Sequence, residues 1–519
     1  MVALPCNDSW QTGTMDGSGA SYRNFQAEIT MAFSMAHRPQ KKIFVLIRVL
    51  MALLGFVPVI MFFPLITAIA LGEEKMIFSF SAVMIVITIL ALASFFSLWR
   101  KKLNLNAKDG FLLVFAVWVL ASFTGAIPFY LWGLNFSDAF FESACTFATT
   151  GATTIADIET LPLSLLLWRS IAHWFGGIGI ILVSVALLPI LGVGGFQLIK
   201  AEETGPEKEK ITPKVAVTAK LLFLVYSVLT LTLFVLYLIG GMNWFDAVCQ
   251  SLAAMATGGV NVKNKGLAAW DSAFIDGVTT VFLLLAGINF NLYCRMLQRK
   301  FTEIKNNVEV KVYLGVFAVS AIIITCSLVP VYGSVSSAFR YASFQSASIL
   351  STAGNTNADF AQWPSVARMV IFILMFVGGC SGSTAGGIKI IRHVILWKQI
   401  KNETQRILYP QGVFRIQINN RVGRNDVVYG VSGFIFMYLF VIMTVTLITA
   451  ASGIDLFSSL SAALSITGNI GVGFGVIGPV HNYSVFADHI KWLFSFVMIA
   501  GRLEMWTVFI LFTRVYWQK

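Results

Sequence analysis

Charged residues are scarce in this chain: Asp, Glu, Lys and Arg make up 12% of its 519 residues, against 57% hydrophobic ones. A soluble domain carries roughly 25% charged residues and needs a largely polar exterior, so a soluble multidomain protein is excluded. Organised cysteine is missing as well. Cys6, Cys145, Cys249, Cys294, Cys326 and Cys380 are scattered, mostly in apolar runs, with no CxxC, which leaves neither a disulfide framework nor a zinc site. The five histidines form no HExxH. Asp138, Asp246, His173 and Glu504 show no converging carboxylate pair or nucleophile–base spacing, so an enzyme is not indicated. Residues 1–41 lack an apolar core and are not a signal peptide; they read as a polar, disordered tail.

What the chain has is long apolar runs, near 43–71, 77–99, 110–132, 164–192, 215–240, 273–294, 312–332, 366–397, 428–451 and 490–516. Each is long enough for a hydrocarbon core of about 30 Å, which takes ~20 helical residues. Ten spans are therefore expected, in an all-α integral membrane protein. The net charge of +12 (37 basic, 25 acidic) then reads as positive-inside loops, not as nucleic-acid binding. Alternating the spans places the basic clusters at 100–108, 200–220, 295–311 and 392–424 on one face, the cytoplasmic one, with both termini. These loops offer a regulatory partner or anionic lipids a surface.

Between spans on the other face a short motif recurs. Asp138 precedes Thr149-Thr150-Gly151, and Asp246 precedes Thr257-Gly258-Gly259, with 13 residues from Asp to Gly in both. The third copy is Thr352-Ala353-Gly354, with Ser346 at the matching offset. In the fourth, Asp455 lies 13 residues before Gly468 in Thr467-Gly468-Asn469, yet Asn469-Ile470-Gly471 fits three residues later, and both registers stand. About 12 residues make ~18 Å of helix, too short to cross, so each segment is expected to enter partway and return as extended backbone. The C-terminal end of such a half-helix favours a cation. Glycine frees the next backbone units, and four loops around one axis give rings of carbonyl oxygens that replace a cation's water. Thr149, Thr150, Thr257, Thr352 and Thr467 can add hydroxyls. No ring of carboxylates occupies the matching positions, which favours a monovalent ion such as K⁺ over a divalent one.

The run 366–397 is interrupted by Gly378-Gly379-Cys380-Ser381-Gly382-Ser383-Thr384-Ala385-Gly386-Gly387-Ile388-Lys389. This is not the phosphate-loop order and no strand precedes it. It reads either as close helix packing through small residues or as an unwound segment beneath the loops that blocks the path and moves. Lys389 and Arg392 follow at its cytoplasmic end. Arg502 and Glu504 interrupt the last run. Charges at that depth face a cavity or a partner, so Arg502 is a candidate positive barrier and Glu504 a partner for Arg502 or Lys389. Asn289 and Asn291 either line the same cavity or bond between helices, and His173 reads as a packing residue.

These motifs together resemble the TrkH/TrkG/KtrB superfamily of potassium transporters, in particular its TrkH branch, over about residues 42–519. The elements that carry the resemblance are ATTGAT at 148–153, HWFGGIGI at 173–180, STAGNTNADF at 351–360, GGCSGSTAGGIK at 378–389 and GRLEMWTVFILFT at 501–513. The resemblance implies four helix–pore loop–helix repeats around a pseudo-fourfold pore plus two N-terminal helices. The corresponding divisions are 42–108 for the two helices, then 109–200, 201–300, 301–400 and 401–519 for the repeats. It also implies K⁺ as the transported ion, no bound organic cofactor, a homodimer with one pore per subunit, and a TrkA-type cytoplasmic regulatory subunit that binds NAD or ATP. The family's filter glycine maps onto Gly151, Gly259, Gly354 and Gly468 or Gly471. Its gating loop maps onto Gly378, Gly379, Gly382, Gly386 and Gly387, and its gate arginine onto Arg502. The chain departs from the family at Gly468-Asn469-Ile470-Gly471-Val472-Gly473, where Asn-Asn-x-Gly-Pro-Gly is usual. It departs again at Val260-Asn261-Val262, where Phe-Ser-Thr is common. These departures bear on K⁺ against Na⁺, and a Na⁺-permeable or poorly selective transporter is the alternative.

Overall fold

The computed structural model describes residues 43–98, 106–186, 211–299, 301–412, 414–418, 421–422 and 425–518. The polar tail 1–41, the basic residues of 100–105 and 200–210, and Lys300 lie outside the described residues. Two helices come first, α1 (Ile43–Leu71) and α2 (Glu74–Leu98). Gly72 divides them: its left-handed φ of 68° lets its N–H reach back to the carbonyls of Ala68 and Ile69 and stop the helix. Phe62, Phe63, Phe78 and Phe96 project from this pair with more than half their surface bare. In water such a patch would aggregate; in a bilayer it meets lipid tails.

Four units of outer helix, short helix and inner helix follow. The first is α3 (Ala107–Trp132), α4 (Phe136–Ala148) and α5 (Leu163–Ala186). The second is α6 (Ile211–Ile239), α7 (Trp244–Met255) and α8 (Ala273–Ala286), continued by α9 (Phe290–Leu297). A linker helix α10 (Phe301–Lys305) leads to the third, α11 (Val308–Tyr332), α12 (Val335–Leu350) and α13 (Ser365–Leu374). After the Gly-rich segment, α14 (Ile390–Leu408) and a two-stranded hairpin, β1 (Gln417–Ile418) with β2 (Arg421–Val422), lead to the fourth. That unit is α15 (Asn425–Ala451), α16 (Leu456–Gly468) and α17 (Asp488–Arg502), followed by α18 (Met505–Phe509) and α19 (Arg514–Trp517).

The ten apolar runs thus take three forms. Among the described residues, seven are helices long and apolar enough to cross a membrane. Two bend instead of running straight: α8 and α9 meet at 90°, and α17 turns by 114° into the segment that starts at Met505. The eighth run keeps only α13 as a short helix before it unwinds. The bends have local causes. Beyond Gly287, Asn289 caps α9 by accepting from the N–H of Asn291 at 2.9 Å, so Asn289 serves its own backbone first. At the second bend Glu504 sits at a φ of 63°, a conformation costly for a residue with a Cβ. Backbone groups freed at membrane depth must find partners in protein, and both bends lie against the Gly-rich segment.

Candidate functional site: a ring of four loops

Three of the four short helices begin on a side-chain cap bond, and all four end on the same turn. Asn135 accepts from the N–H of Asp138 at 2.7 Å, Asn243 from that of Asp246 at 2.8 Å, and Asp455 from that of Ser458 at 3.0 Å. The Ser458 side chain and the Ser458 N–H together hold the exposed Asp455 carboxyl below its ordinary range. At the other end, the N–H groups of Thr150, Gly258, Ala353 and Ile470 reach back to the carbonyls of Cys145, Ala253, Ser348 and Ser465 at 2.8–3.1 Å. The residue before each donor is left-handed: Thr149 (51°), Thr257 (51°), Thr352 (56°) and Asn469 (55°). The residue after it is a left-handed glycine: Gly151 (76°), Gly259 (68°), Gly354 (69°) and Gly471 (91°).

This repeated turn sets the register of the fourth loop at Gly471. Gly468 is the last residue of α16, so it and Thr467 precede the turn, and Asn469 occupies the place of Thr149, Thr257 and Thr352. Of the two registers, the Asp offset pointed to Gly468 because Asp455 is itself the cap, whereas Asp138 and Asp246 stand three residues inside caps Asn135 and Asn243. Counted from the cap, Gly151, Gly259 and Gly471 all lie 16 residues on.

The four glycines also report a closed ring. A Cβ on Gly151 would fall 2.5 Å from the carbonyl oxygen of Gly258. One on Gly259 would strike the Ala353 carbonyl, one on Gly354 the Ile470 carbonyl, and one on Gly471 the Thr150 carbonyl. Each loop therefore touches the next through backbone, and the fourth returns to the first. Asn469 closes the seam, donating its side-chain amide to Thr150 Oγ1 at 3.0 Å and to the Met498 carbonyl at 2.9 Å. His173 packs behind the second loop, where its ring leaves no room for a side chain at Gly258, and its Nδ1 lies 2.9 Å from the Arg169 carbonyl.

Buried charge supports the loops from behind. Glu142, inside α4, accepts from Thr153 Oγ1 at 2.7 Å and from the Thr154 N–H at 2.6 Å, and pairs with Arg169 at 3.2 Å. In the next two units Gln250 donates to Asn261 at 3.1 Å and Gln345 to Asn357 at 3.2 Å. Asp276 takes Asn357 at 3.0 Å and Arg340 at 2.7 Å. Lys491 pairs with Asp138 at 2.6 Å. Glu142, Arg169, Gln250, Asp276, Arg340, Gln345 and Lys491 did not stand out in the sequence analysis, although the signal that marked Arg502, a charge within an apolar run, applies equally to Glu142 and Arg169.

The Gly-rich segment lies across the ring's neighbours. Its neck is tied by Gly378 N–H to the Ile388 carbonyl at 2.9 Å and Ile390 N–H to the Gly379 carbonyl at 3.1 Å. Cys380 N–H reaches the Gly287 carbonyl at 2.8 Å, and Thr384 Oγ1 reaches the Ala286 carbonyl at 3.2 Å. Gly386 N–H donates to Thr352 Oγ1 of the third loop at 2.6 Å. Gly382 (φ 73°) packs on the Asn289 side chain, and Gly387 (φ 65°) lies beside Gly378. Arg502 is buried and donates to the Thr384 carbonyl at 2.5 Å and the Gly176 carbonyl at 3.1 Å. Lys389 turns back to the Ala385 carbonyl. Glu504 pairs with neither of its expected partners: it meets Arg392, whose guanidinium lies 3.8 Å over the Phe434 ring. The helix break between Arg502 and Glu504 is what points the two side chains to different neighbours.

Four half-helices ending in a closed ring, with an unwound segment packed against it, define a multi-pass membrane protein of the pore-loop transport class. The sequence matches the TrkH family, described as a cation transport protein, across residues 74–519, and the chain belongs to that family. It is 36% identical over 429 residues to the Trk system potassium uptake protein TrkH of Escherichia coli, covering 81% of this chain and 88% of that one. It is 31% identical over 454 residues to TrkG of the same organism, covering 86% and 93%. The crystal structure of the potassium transporter TrkH from Vibrio parahaemolyticus superposes with a TM-score of 0.84 at 32% identity, over 92% of this chain and all of that one. These relatives are transporters, not enzymes.

Proposed function

We propose that this chain takes up K⁺ across the cytoplasmic membrane, through a filter formed by Thr149–Gly151, Thr257–Gly259, Thr352–Gly354 and Asn469–Gly471. The observation that carries the reading is the closed backbone ring at the C-terminal ends of four half-helices. Their partial negative charge draws a cation, and carbonyl oxygens supply its ligands without a carboxylate. The potassium uptake named in the relatives' descriptions supports the same ion. The Gly378–Gly387 segment is the gate, held shut by Arg502, with Lys389 adding positive charge beside it. The basic loops face the cytoplasm, where a TrkA-type nucleotide-binding subunit acts on the gate, and two copies of the chain pair as a homodimer.

One feature favours weaker selectivity as a second reading: the fourth loop offers Asn469 where the other three place Thr149, Thr257 and Thr352 at the turn. Rescue of a K⁺-uptake-deficient strain, with Na⁺ titrated into the medium, separates the two. Growth at low K⁺ that resists added Na⁺ supports a K⁺ filter. Growth that collapses as Na⁺ competes assigns the poorly selective alternative.

A further inference from the structure

Glu309 is a buried carboxylate on the first turn of α11, outside the ring and outside the Gly-rich segment. Its Oε1 accepts from the Ser381 N–H at 2.7 Å and from the Ile391 N–H at 3.3 Å. Those two amides belong to opposite limbs of the Gly-rich segment. Ser381 lies just after the neck bond of Gly379, and Ile391 lies on the first turn of α14. One oxygen therefore bridges the way into the segment and the way out of it.

The chemistry suits a clamp. The amides at the start of α14 have no partner within the helix, and that end carries partial positive charge, so an anion is favoured there. Hydrogen bonds to an ionised acceptor are roughly twice as strong as neutral ones. The neck bonds between Gly378 and Ile388 and between Gly379 and Ile390 lie beside it. Splaying the limbs would strip the carboxylate of its partners in a buried place, a costly arrangement.

We propose that Glu309 is a positioning residue for transport: it clamps the neck of the gate and biases the segment toward its closed position. This rests on the reading of Gly378–Gly387 as the gate. The charge and the acceptor act together, so the isosteric Gln, which keeps an acceptor oxygen, retains part of the clamp.

The test is basal K⁺ efflux from vesicles holding the full chain, alongside hydrogen exchange of segment 378–391. Glu309→Ala raises efflux by on the order of tenfold and speeds exchange of that segment while exchange of the four filter loops stays at wild-type rates. Glu309→Gln shifts both in the same direction by less. A merely destabilised protein would instead lose flux and exchange faster throughout. Wild-type efflux and exchange in folded Glu309→Ala overturn the clamp. If that variant fails to accumulate, Glu309→Gln decides, and wild-type behaviour in it overturns the proposal. Deleting Gly382–Gly386 distinguishes the two levels: unchanged flux there removes the gate itself, whereas raised flux there with inert Glu309 variants removes only the clamp.

Discussion

Asn469 and Thr150 stand 319 residues apart in sequence and meet at 3.0 Å, amide to hydroxyl, joining the fourth loop to the first. Thr149, Thr257 and Thr352 hold the equivalent turn elsewhere, so at this turn a side-chain amide takes the place of a threonine. Asn469→Leu removes both its donor bonds and leaves Thr150 Oγ1 and the Met498 carbonyl buried without their partner. A lost buried partner costs about 1–3 kcal/mol. The expected outcome is a lowered K⁺ over Na⁺ flux ratio in a protein that still assembles, read by ion flux together with size-exclusion chromatography.

Gly471 and Gly468 make a paired comparison of register. Gly471 has a φ of 91° and backbone where a Cβ would go, whereas a Cβ on Gly468 meets its nearest atom, Tyr438 Oη, at 3.3 Å and no strain in φ. Gly471→Ala is expected to abolish K⁺ flux or its selectivity, and Gly468→Ala to leave flux within about threefold of wild type. Equal losses in both variants would contradict the register.

Gly354→Ser tests the ring from the third loop. Left-handed backbone costs a residue with a Cβ roughly 1–2 kcal/mol, and the added carbon would also displace the Ile470 carbonyl. Altered permeation of K⁺ against Na⁺ with intact assembly is expected. Unchanged permeation would count against a filter here.

Arg502→Ala removes the donors to Thr384 and Gly176. Because those carbonyls belong to the Gly-rich segment and to α5, the change unties that segment, the proposed gate, from the first repeat. Basal efflux is expected to rise by on the order of tenfold, measured in the vesicle assay without any partner subunit. A fall in efflux with normal folding would contradict the role.

Arg169→Ala leaves Glu142 buried without its cation. Breaking a buried pair in this way costs about 3–5 kcal/mol. A marked drop in the melting temperature of the detergent-solubilised protein is expected, larger than for removing the exposed Arg406–Glu403 pair.

The architecture was legible because its signals are periodic and long. Ten apolar runs and a fourfold loop motif survive any single misreading, and the glycine string at 378–387 could not continue a helix unbroken. What stayed hidden depends on contacts across repeats. At the 90° bend the Ala286 and Gly287 carbonyls meet donors on the Gly-rich segment, and at the 114° bend Arg502 donates to the Thr384 carbonyl, contacts that no local pattern encodes. Asp455 looked like Asp138 and Asp246, yet it stands at the cap and they stand inside theirs, so an offset counted from the acid left Gly468 and Gly471 both open. Glu504 was expected beside Arg502 or Lys389 because they are close in sequence or share the gate, while it pairs with Arg392. Glu309 reads in sequence as an ordinary acid on a first helical turn, and its meaning comes from Ser381 and Ile391, 72 and 82 residues away.

Reconstituted flux with K⁺, Rb⁺, Na⁺ and Li⁺ compared in the same vesicles tests the central claim most directly. A ring of backbone carbonyls around a monovalent site is expected to pass K⁺ and Rb⁺ well ahead of Na⁺ and Li⁺, with the preference lost in Gly354→Ser. Equal passage of all four ions by the wild-type chain, or the same preference in the variant, would contradict it.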